Sequence, residues 1–346
     1  MFINNMGDDE GAASKLFNTK VLLGLVAGAG FSYGLYKLIF SGGNHGTKRE
    51  DAAWNISMQP GSLLERVSGL PLVQEKCDLT PNGSSTDELL SKSPDSLEPH
   101  HLEMLLSLLQ PNHDTSARIQ VLVTLSNSAA FSVNQDYIRK MGGLQVIGNL
   151  LSDPAFDVRV QALNALNNLS MNVTNQEQLK VYAGQVLGII ETSPLNSDLQ
   201  LAGLRMLTNM SVTNNYQYIM KSSITLFLSL LVVGNVALQI QVLKILVNLS
   251  ANPDMVEDIL RSQAPVSLVL LFDCCTNTEV LLRVLTFVGN LKDWTTSTHV
   301  TDILKLSKDS LCSVLYGDSS EFHQRLPLLL SHPDGQVKKQ VAKIMT

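Results

Sequence analysis

Apolar residues along positions 97–346 recur at the three- and four-residue spacing that places them on one face of a helix. In one such run, Ala162, Leu163, Leu166 and Leu169 fall on the same helical face. Aromatic residues make up only 5% of the chain, which favours helices packed on helices over a β-sandwich. The pattern therefore predicts an all-α region.

An asparagine recurs near the end of each long apolar run, at intervals of 41, 41, 39 and 42 residues. The five positions are Asn127, Asn168, Asn209, Asn248 and Asn290. A period near 40 is typical of armadillo and HEAT arrays, whose units bury their apolar faces only by stacking on neighbours. We predict a helical array of about six units, with partial units at the ends.

Proline and glycine mark the helix boundaries within each unit. Pro111, Pro154 and Pro194 lie 16, 14 and 15 residues before their asparagines, where a preceding helix must end. Gly142–Gly143 predicts a tight bend before a second helix. Other units place Ala183–Gly184, Ser222–Ser223 or Ala264–Pro265 at this bend. Each unit is thus predicted to contain two shorter helices followed by a long third helix.

The N-terminal part of the chain carries a different signal. Val21–Phe40 spans 20 residues that are apolar apart from Lys37, which is the length a helix needs to cross a bilayer. A signal-peptide core and a buried helix are competing interpretations, but no convincing cleavage site follows the segment. We predict a tail at 1–20, a single-pass transmembrane anchor at 21–40, a flexible, disordered linker at 41–96 and the repeat domain at 97–346. The balance of lysine and arginine slightly favours a cytosolic repeat domain.

Glycines within the anchor support two interpretations. Gly24, Gly28, Gly30 and Gly34 have the spacing that lets transmembrane helices pack closely, so the anchor is a candidate for self-association. Gly28, Gly30 and Gly34 also imitate a dinucleotide-binding fingerprint, which requires a preceding strand and a βαβ unit. The helical pattern that follows argues against this reading, and we predict no cofactor.

The composition of the chain argues against several classes of function. The net charge of −6 and the absence of a long basic run argue against binding to a nucleic-acid backbone. Cys77, Cys274, Cys275 and Cys312 lack the spacing of a zinc site or a disulfide framework. The sequence contains no catalytic or metal-binding constellation that we recognise, so we expect a protein that is not an enzyme.

The recurring asparagine, the Gly142–Gly143 turn and the proline-containing link resemble the armadillo repeat specifically. The resemblance implies an armadillo-type right-handed α-solenoid. It also implies that the five asparagines line a groove and hydrogen-bond the backbone of an extended peptide. The alternative is that they bond carbonyl groups of their own solenoid.

Nuclear-import receptors of this family place tryptophan four residues before the asparagine. The corresponding residues here are Val123, Asn164, Arg205, Lys244 and Thr286. We predict that Asn164, Arg205 and Lys244 also line the groove. Without the tryptophans, and with two cations in their place, the groove should disfavour basic cargo and prefer polar or acidic segments.

Three longer segments point to one group within the armadillo proteins. They are NSAAFSVNQ from Asn127, ALNALNNLS from Ala162 and SPLNSDLQLAGLRMLTNMSVTNNYQ from Ser193. These segments are similar to the X-linked armadillo repeat-containing proteins, which are membrane-anchored. That resemblance implies a scaffold on the cytosolic face of the mitochondrial outer membrane or the endoplasmic reticulum, with a secondary nuclear or cytoplasmic pool. It also implies roles in mitochondrial dynamics or transport and in cell growth and survival, with mitochondrial Rho GTPases and kinesin adaptors as partners. The alternative is a soluble armadillo peptide receptor in nuclear transport or transcriptional regulation.

Overall fold

The structure, a computed structural model, describes residues 97–110, 113–292 and 307–346. The predicted tail, anchor and linker, with Gly24, Gly28, Gly30 and Gly34, lie outside the described residues, as does Pro111. Within the described ranges the regular structure is helical, apart from one isolated bridge between Gln263 and Ser310. The prediction of an all-α repeat region is confirmed for this part of the chain.

The helices follow one another in an order that repeats. In chain order they are α1 (Pro99–Ser107), α2 (Thr115–Ser128), α3 (Ser132–Lys140), α4 (Gly143–Asn149), α5 (Phe156–Leu169), α6 (Val173–Thr192), α7 (Asp198–Met210), α8 (Asn214–Gln217), α9 (Ile224–Val233), α10 (Val236–Ser250), α11 (Pro253–Arg261), α12 (Thr278–Lys292), α13 (Leu311–Tyr316), α14 (Phe322–Leu328) and α15 (Gly335–Met345). Short 3₁₀ segments at Leu150–Ser152, Tyr218–Ser223, Val266–Leu271 and Leu329–Ser331 extend or replace helices in four units.

The long third helices of successive units form one layer. They are α2, α5, α7, α10, α12 and, at the C-terminal end, α15, and each packs against the next. Leu166, Leu207 and Leu246, two positions before their asparagines, are fully buried at these contacts, as are Ala162, Leu163 and Leu169. A continuous core therefore runs through the array, as stacking of incomplete units requires.

Side-chain caps explain where several third helices begin. Asp114 accepts hydrogen bonds from the backbone of Ser116 and Ala117 at the start of α2. Ser197, Asn235 and Asp334 do the same for α7, α10 and α15. Because the first backbone N–H groups of a helix have no partner within it, these polar residues set the start of each third helix.

The bends before the second helices follow the sequence prediction in three of the four places. Gly142 has a φ of 73°, a left-handed conformation that favours glycine, and α4 begins directly after it. Ser222–Ser223 ends a 3₁₀ segment just before α9, and Ala264–Pro265 precedes the 3₁₀ segment at Val266.

The prediction of a bend at Ala183–Gly184 is wrong. Both residues lie inside α6, one helix of 20 residues that replaces the first and second helices of its unit. Ala183, Val186 and Leu187 are buried and continue the apolar face across the expected break, while Gly184 keeps a negative φ. Packing of this face outweighs the weak helix propensity of one glycine.

Among the described residues, Asn214–Val233 is long and apolar enough to cross a membrane by length and composition alone. In this fold the stretch comprises α8, a 3₁₀ segment and α9. Ile224, Phe227 and Leu231 from it are fully buried in the core of the solenoid.

Two glycine substitutions should shift stability in opposite directions. A Cβ at Gly142 or at Gly184 would meet no atom within 4 Å, so neither substitution creates a clash. Gly142→Ala should lower the free energy of unfolding by about 1–2 kcal/mol, because it forces alanine into a left-handed conformation. Gly184→Ala should raise it by about 0.5–1 kcal/mol, because alanine favours the helix interior. Urea unfolding followed by circular dichroism measures both, and equal effects would contradict this account of the bends.

Candidate functional site

Each of the first five third helices carries its recurring asparagine and the residue four positions earlier on one side, since residues at i and i+4 share a helical face. We call the surface formed by these pairs the ladder face. Its members are Val123 and Asn127, Asn164 and Asn168, Arg205 and Asn209, Lys244 and Asn248, and Thr286 and Asn290. The stacking of the third helices brings the five predicted groove asparagines into one row across neighbouring helices.

The amide groups of four ladder asparagines tie each third helix to the one before it. Asn168 Nδ2 donates to the carbonyl oxygen of Ser126 at 2.9 Å, and Asn209 Nδ2 donates to that of Asn167 at 2.9 Å. Asn248 Nδ2 donates to Ser211 Oγ at 2.9 Å, and Asn290 Nδ2 donates to Ser250 Oγ at 3.1 Å. The bonds to the solenoid that the sequence left as an alternative are therefore present.

The ladder asparagines keep part of their hydrogen-bonding capacity. Among the described residues, no group donates a hydrogen bond to Oδ1 of Asn209, Asn248 or Asn290, whereas Oδ1 of Asn168 accepts one from Asn167. Asn127, on the first third helix, makes no side-chain hydrogen bond within the described ranges. Both internal bonding and a role in a groove are thus compatible with this geometry, because an amide has a separate donor and acceptor.

A second row of amides lies beside the first and was not anticipated from the sequence. Gln176 Nε2 donates to the carbonyl oxygen of Ser170 at 2.8 Å and to that of Asn209 at 3.2 Å. Gln135 and Gln217 make the equivalent pairs of bonds in their own units. The sequence contained a signal for this row of glutamines, because each of them follows a ladder asparagine by eight residues. The equivalent position after Asn248 is Val256, so the row does not extend to that unit. These buried glutamines join the end of one third helix to the next.

The three polar residues predicted beside the asparagines differ in how many of their hydrogen-bonding groups have partners. Asn164 is buried and donates from Nδ2 to Gln161 Oε1 at 3.2 Å, but its Oδ1 has no partner among the described residues. Arg205 is partly buried, and its Nε is enclosed with no hydrogen-bond acceptor in the described part of the chain. Burial lowers the pKa of Arg205, partly offset by Asp198.

Lys244 is the most enclosed cation on the ladder face. Only 6% of it is exposed, and it makes neither a hydrogen bond nor an ion pair with any described residue. Burial and the neighbouring Arg283 lower its pKa to about 8. Arg118, which is equally buried, differs because it forms an ion pair with buried Asp153. Among the described residues, one buried cation therefore has a direct ion pair, whereas Lys244 has only the attraction of Glu279, which raises its pKa without pairing with it.

Two groups of possible metal ligands, each within 4.8 Å, occur among the described residues. In the first, at the start of α1, the backbone N–H of Glu98 donates to Nδ1 of His101 at 3.1 Å. The second is Asp273 with exposed Cys274 and Cys275, whose sulfur atoms are 4.0 Å apart. Both groups are sequence neighbours at a helix start or a turn, and local hydrogen bonds explain their placement.

Comparison with known proteins agrees with the geometry. The sequence profile of the armadillo-like family matches residues 97–316. A designed armadillo repeat protein in complex with the peptide (KR)4 is 16% identical, with a TM-score of 0.59 over 70% of this chain and 98% of that one. A computationally designed armadillo repeat protein for modular peptide recognition matches with the same identity, TM-score and coverage. An engineered protein is 17% identical, with a TM-score of 0.58 over 70% of this chain and 94% of its own.

The chain belongs to the armadillo-like family, because the family profile covers more than half of its length. Its described part is an all-helical armadillo-repeat solenoid. At identities of 16–17% the solved structures establish the fold alone.

Replacing Lys244 should reveal the cost of its buried charge. The folded-state pKa of about 8 lies below the ordinary 10.5, so the unfolded chain binds more protons between these values. Wild-type stability should therefore gain from this group as the pH rises from about 8 to 10.5. Near pH 7, Lys244→Met should be more stable than wild type by up to about 3 kcal/mol.

The stability difference between Lys244→Met and wild type should shrink as the pH approaches 10. Urea unfolding at several pH values measures this difference directly. Lys221→Met is the matched control, because Lys221 is an exposed cation paired with Asp258, which raises its pKa. A Lys244→Met difference that does not vary with pH would show that burial does not depress this pKa.

Proposed function

We propose that this protein is a non-enzymatic scaffold that binds other proteins through its ladder face while its N-terminal segment holds it on a membrane. The observation that carries the binding proposal is the unbroken layer of third helices. On one side this layer presents asparagine oxygens that accept no hydrogen bond from a described residue, together with Arg205 and Lys244, which form no ion pair in the described part of the chain. Such a surface suits an extended peptide, whose backbone N–H groups recur at regular intervals.

The chemistry of the ladder face supports polar or acidic partners. The designed relative solved with (KR)4 supports peptide binding by this architecture, and its peptide is strongly basic. Arg205 and Lys244 would repel such a sequence, since like charges across an interface are costly. We therefore assign this protein neutral or acidic segments rather than basic signals.

The membrane part of the proposal rests on the sequence. Val21–Phe40 has the length and apolarity of a single-pass anchor. The resemblance to the X-linked armadillo proteins supports a cytosolic repeat domain at the mitochondrial outer membrane or the endoplasmic reticulum. It also supports a role in mitochondrial dynamics or transport and in cell growth and survival, with mitochondrial Rho GTPases and kinesin adaptors as partners. The linker at 41–96 would give the repeats reach from the membrane.

Site-specific photo-crosslinking tests whether partners use the ladder face. A crosslinking amino acid at Gln120 or Ala237 would lie on exposed positions of this face, on α2 and α10. At Val181, which is 71% exposed on α6, or at Val266, it would lie outside the third helices. We expect protein adducts from the first two positions in cells and few from the last two. Adducts confined to Val181 and Val266 would place the binding surface elsewhere.

Cell fractionation tests the anchor and separates the two functional alternatives. The full-length chain should remain in the membrane pellet after alkaline extraction, because a transmembrane helix is not released by removal of electrostatic contacts. Deletion of residues 21–40 should release the protein to the soluble fraction. A deletion variant with unchanged location, together with a full-length chain extracted by alkali, would favour the soluble peptide receptor.

A further inference from the structure

We propose that Arg205 and Lys244 together form a receptor for one acidic side chain, an aspartate or glutamate, of an extended peptide lying on the ladder face. The inference rests on the proposed function and specifies the chemistry of its partner. The two cations lie on neighbouring third helices, α7 and α10, each one turn before its ladder asparagine. They are close enough for their charges to repel each other.

The first argument is the missing partner. A buried charge is strongly unfavourable unless it is paired or hydrogen-bonded. The buried Arg118 pairs with Asp153 through Nη1, although its Nε also lacks an acceptor, and exposed cations such as Arg261 and Lys180 have carboxylate partners. Lys244 forms no ion pair or hydrogen bond with a described residue, Glu279 attracts its charge without pairing with it, and Arg205 has no ion pair and an enclosed Nε without an acceptor. A bound carboxylate would supply the acceptor that both cations lack.

The second argument is the surrounding charge. Arg283 on α12 adds a third positive group near Lys244, and its own partner Glu279 accepts a hydrogen bond from Nη2 at 2.7 Å. On α7 the nearby carboxylate is Asp198, in the first turn. α9 has no titratable residue. On α11, Asp258 pairs with Lys221 and Glu257 with Arg261, and Asp254 lies in the first turn. The local balance therefore remains positive around Lys244.

The third argument concerns the shape of the ligand. Only 6% of Lys244 is exposed, so a ligand can contact little of it, which suits one small group such as a carboxylate. The Oδ1 atoms of Asn209 and Asn248, one turn further along the same helices, accept no hydrogen bond from described residues. They are placed to accept N–H groups of the peptide backbone on either side of the acidic residue. Asp198 and Glu279 act on Arg205 and Lys244, and their negative charges disfavour a doubly charged phosphate more than a singly charged carboxylate.

Fluorescence anisotropy with three labelled peptides tests the receptor in the full chain. The probes are (Glu-Asp)4, its neutral counterpart (Gln-Asn)4 and its opposite (Lys-Arg)4. Wild type should bind the acidic peptide best. Lys244→Met and Arg205→Met should each weaken that binding by about ten-fold or more, the effect of losing one charged hydrogen bond. Lys221→Met, which makes the same change in net charge at an exposed pair, should change the affinity by less than about two-fold.

A pH series gives a second readout that general loss of charge would not reproduce. Wild-type affinity for (Glu-Asp)4 should fall as the pH rises through about 8, where Lys244 loses its proton. Lys244→Arg should bind with a weaker pH dependence, because arginine keeps its charge. The thermal unfolding of each variant, measured in parallel, separates lost binding from lost folding.

The possible outcomes separate the receptor from the scaffold function. If folded Arg205→Met and Lys244→Met bind (Glu-Asp)4 as wild type does, the receptor is wrong. If wild type prefers (Gln-Asn)4, the receptor is also wrong, but the scaffold function stands. A preference for (Lys-Arg)4 would overturn both the receptor and the assignment to neutral or acidic partners, and would leave only peptide binding by the ladder face. If no peptide binds, both proposals fail for the ladder face. A phosphoserine peptide binding more than ten-fold tighter than (Glu-Asp)4 would overturn the assignment to a carboxylate.

Discussion

The contact between neighbouring third helices is the interaction on which the rest of this structure depends. A single unit has too little apolar surface to form a closed core, so Leu166, Leu207 and Leu246 are buried only because another unit covers them. The same contact aligns the asparagines, because helices that stack in register bring equivalent positions together. The ladder face is therefore a consequence of how the fold is stabilised.

Hydrogen bonds from amide side chains give this stacking its register. Apolar packing alone allows helices to slide, whereas the bonds from Asn209 to Asn167 and from Gln176 to Asn209 require one alignment. Both amides reach backbone carbonyls near helix ends, where the last carbonyl groups lack partners in the next helical turn. A residue type that the family is known to use toward its ligand thus also has a structural task here.

Some of the buried cations in this chain are not explained by the stability of the fold alone. Arg118 on α2 forms a buried ion pair with Asp153, which lies just before α5, so its charge has a direct partner although its Nε lacks an acceptor. Arg205 and Lys244 occupy the same layer without an ion pair among the described residues. Stability alone would favour apolar residues at these positions, since uncompensated buried charge is costly. Their presence on the ladder face is the feature of this surface that most needs a ligand to explain it.

Much of the fold could be predicted because it depends on local and periodic information. The helical spacing of apolar residues and the Gly142–Gly143 bend are properties of short segments, and the helices and the bend that they predicted are confirmed. The asparagine period near 40 predicted a stacked array, and the third helices stack in that order. The bend at Ala183–Gly184 was predicted wrongly because a dipeptide pattern carries no information about the apolar face that runs through it. In α6 that face packs without interruption, and the helix continues.

The sequence by itself determined the class of the repeat region, its phase and the five asparagine positions. The reason is that a repeat period can be recognised from residue positions along the chain, without knowing which helices are neighbours. Only the tertiary structure decided what those asparagines bond, since their acceptors lie about 40 residues earlier on another helix. It also decided that Gln135, Gln176 and Gln217 join the units, and that Lys244 is enclosed without a direct ion pair among the described residues. Burial and pairing depend on which helices become neighbours, and that is settled when the units stack.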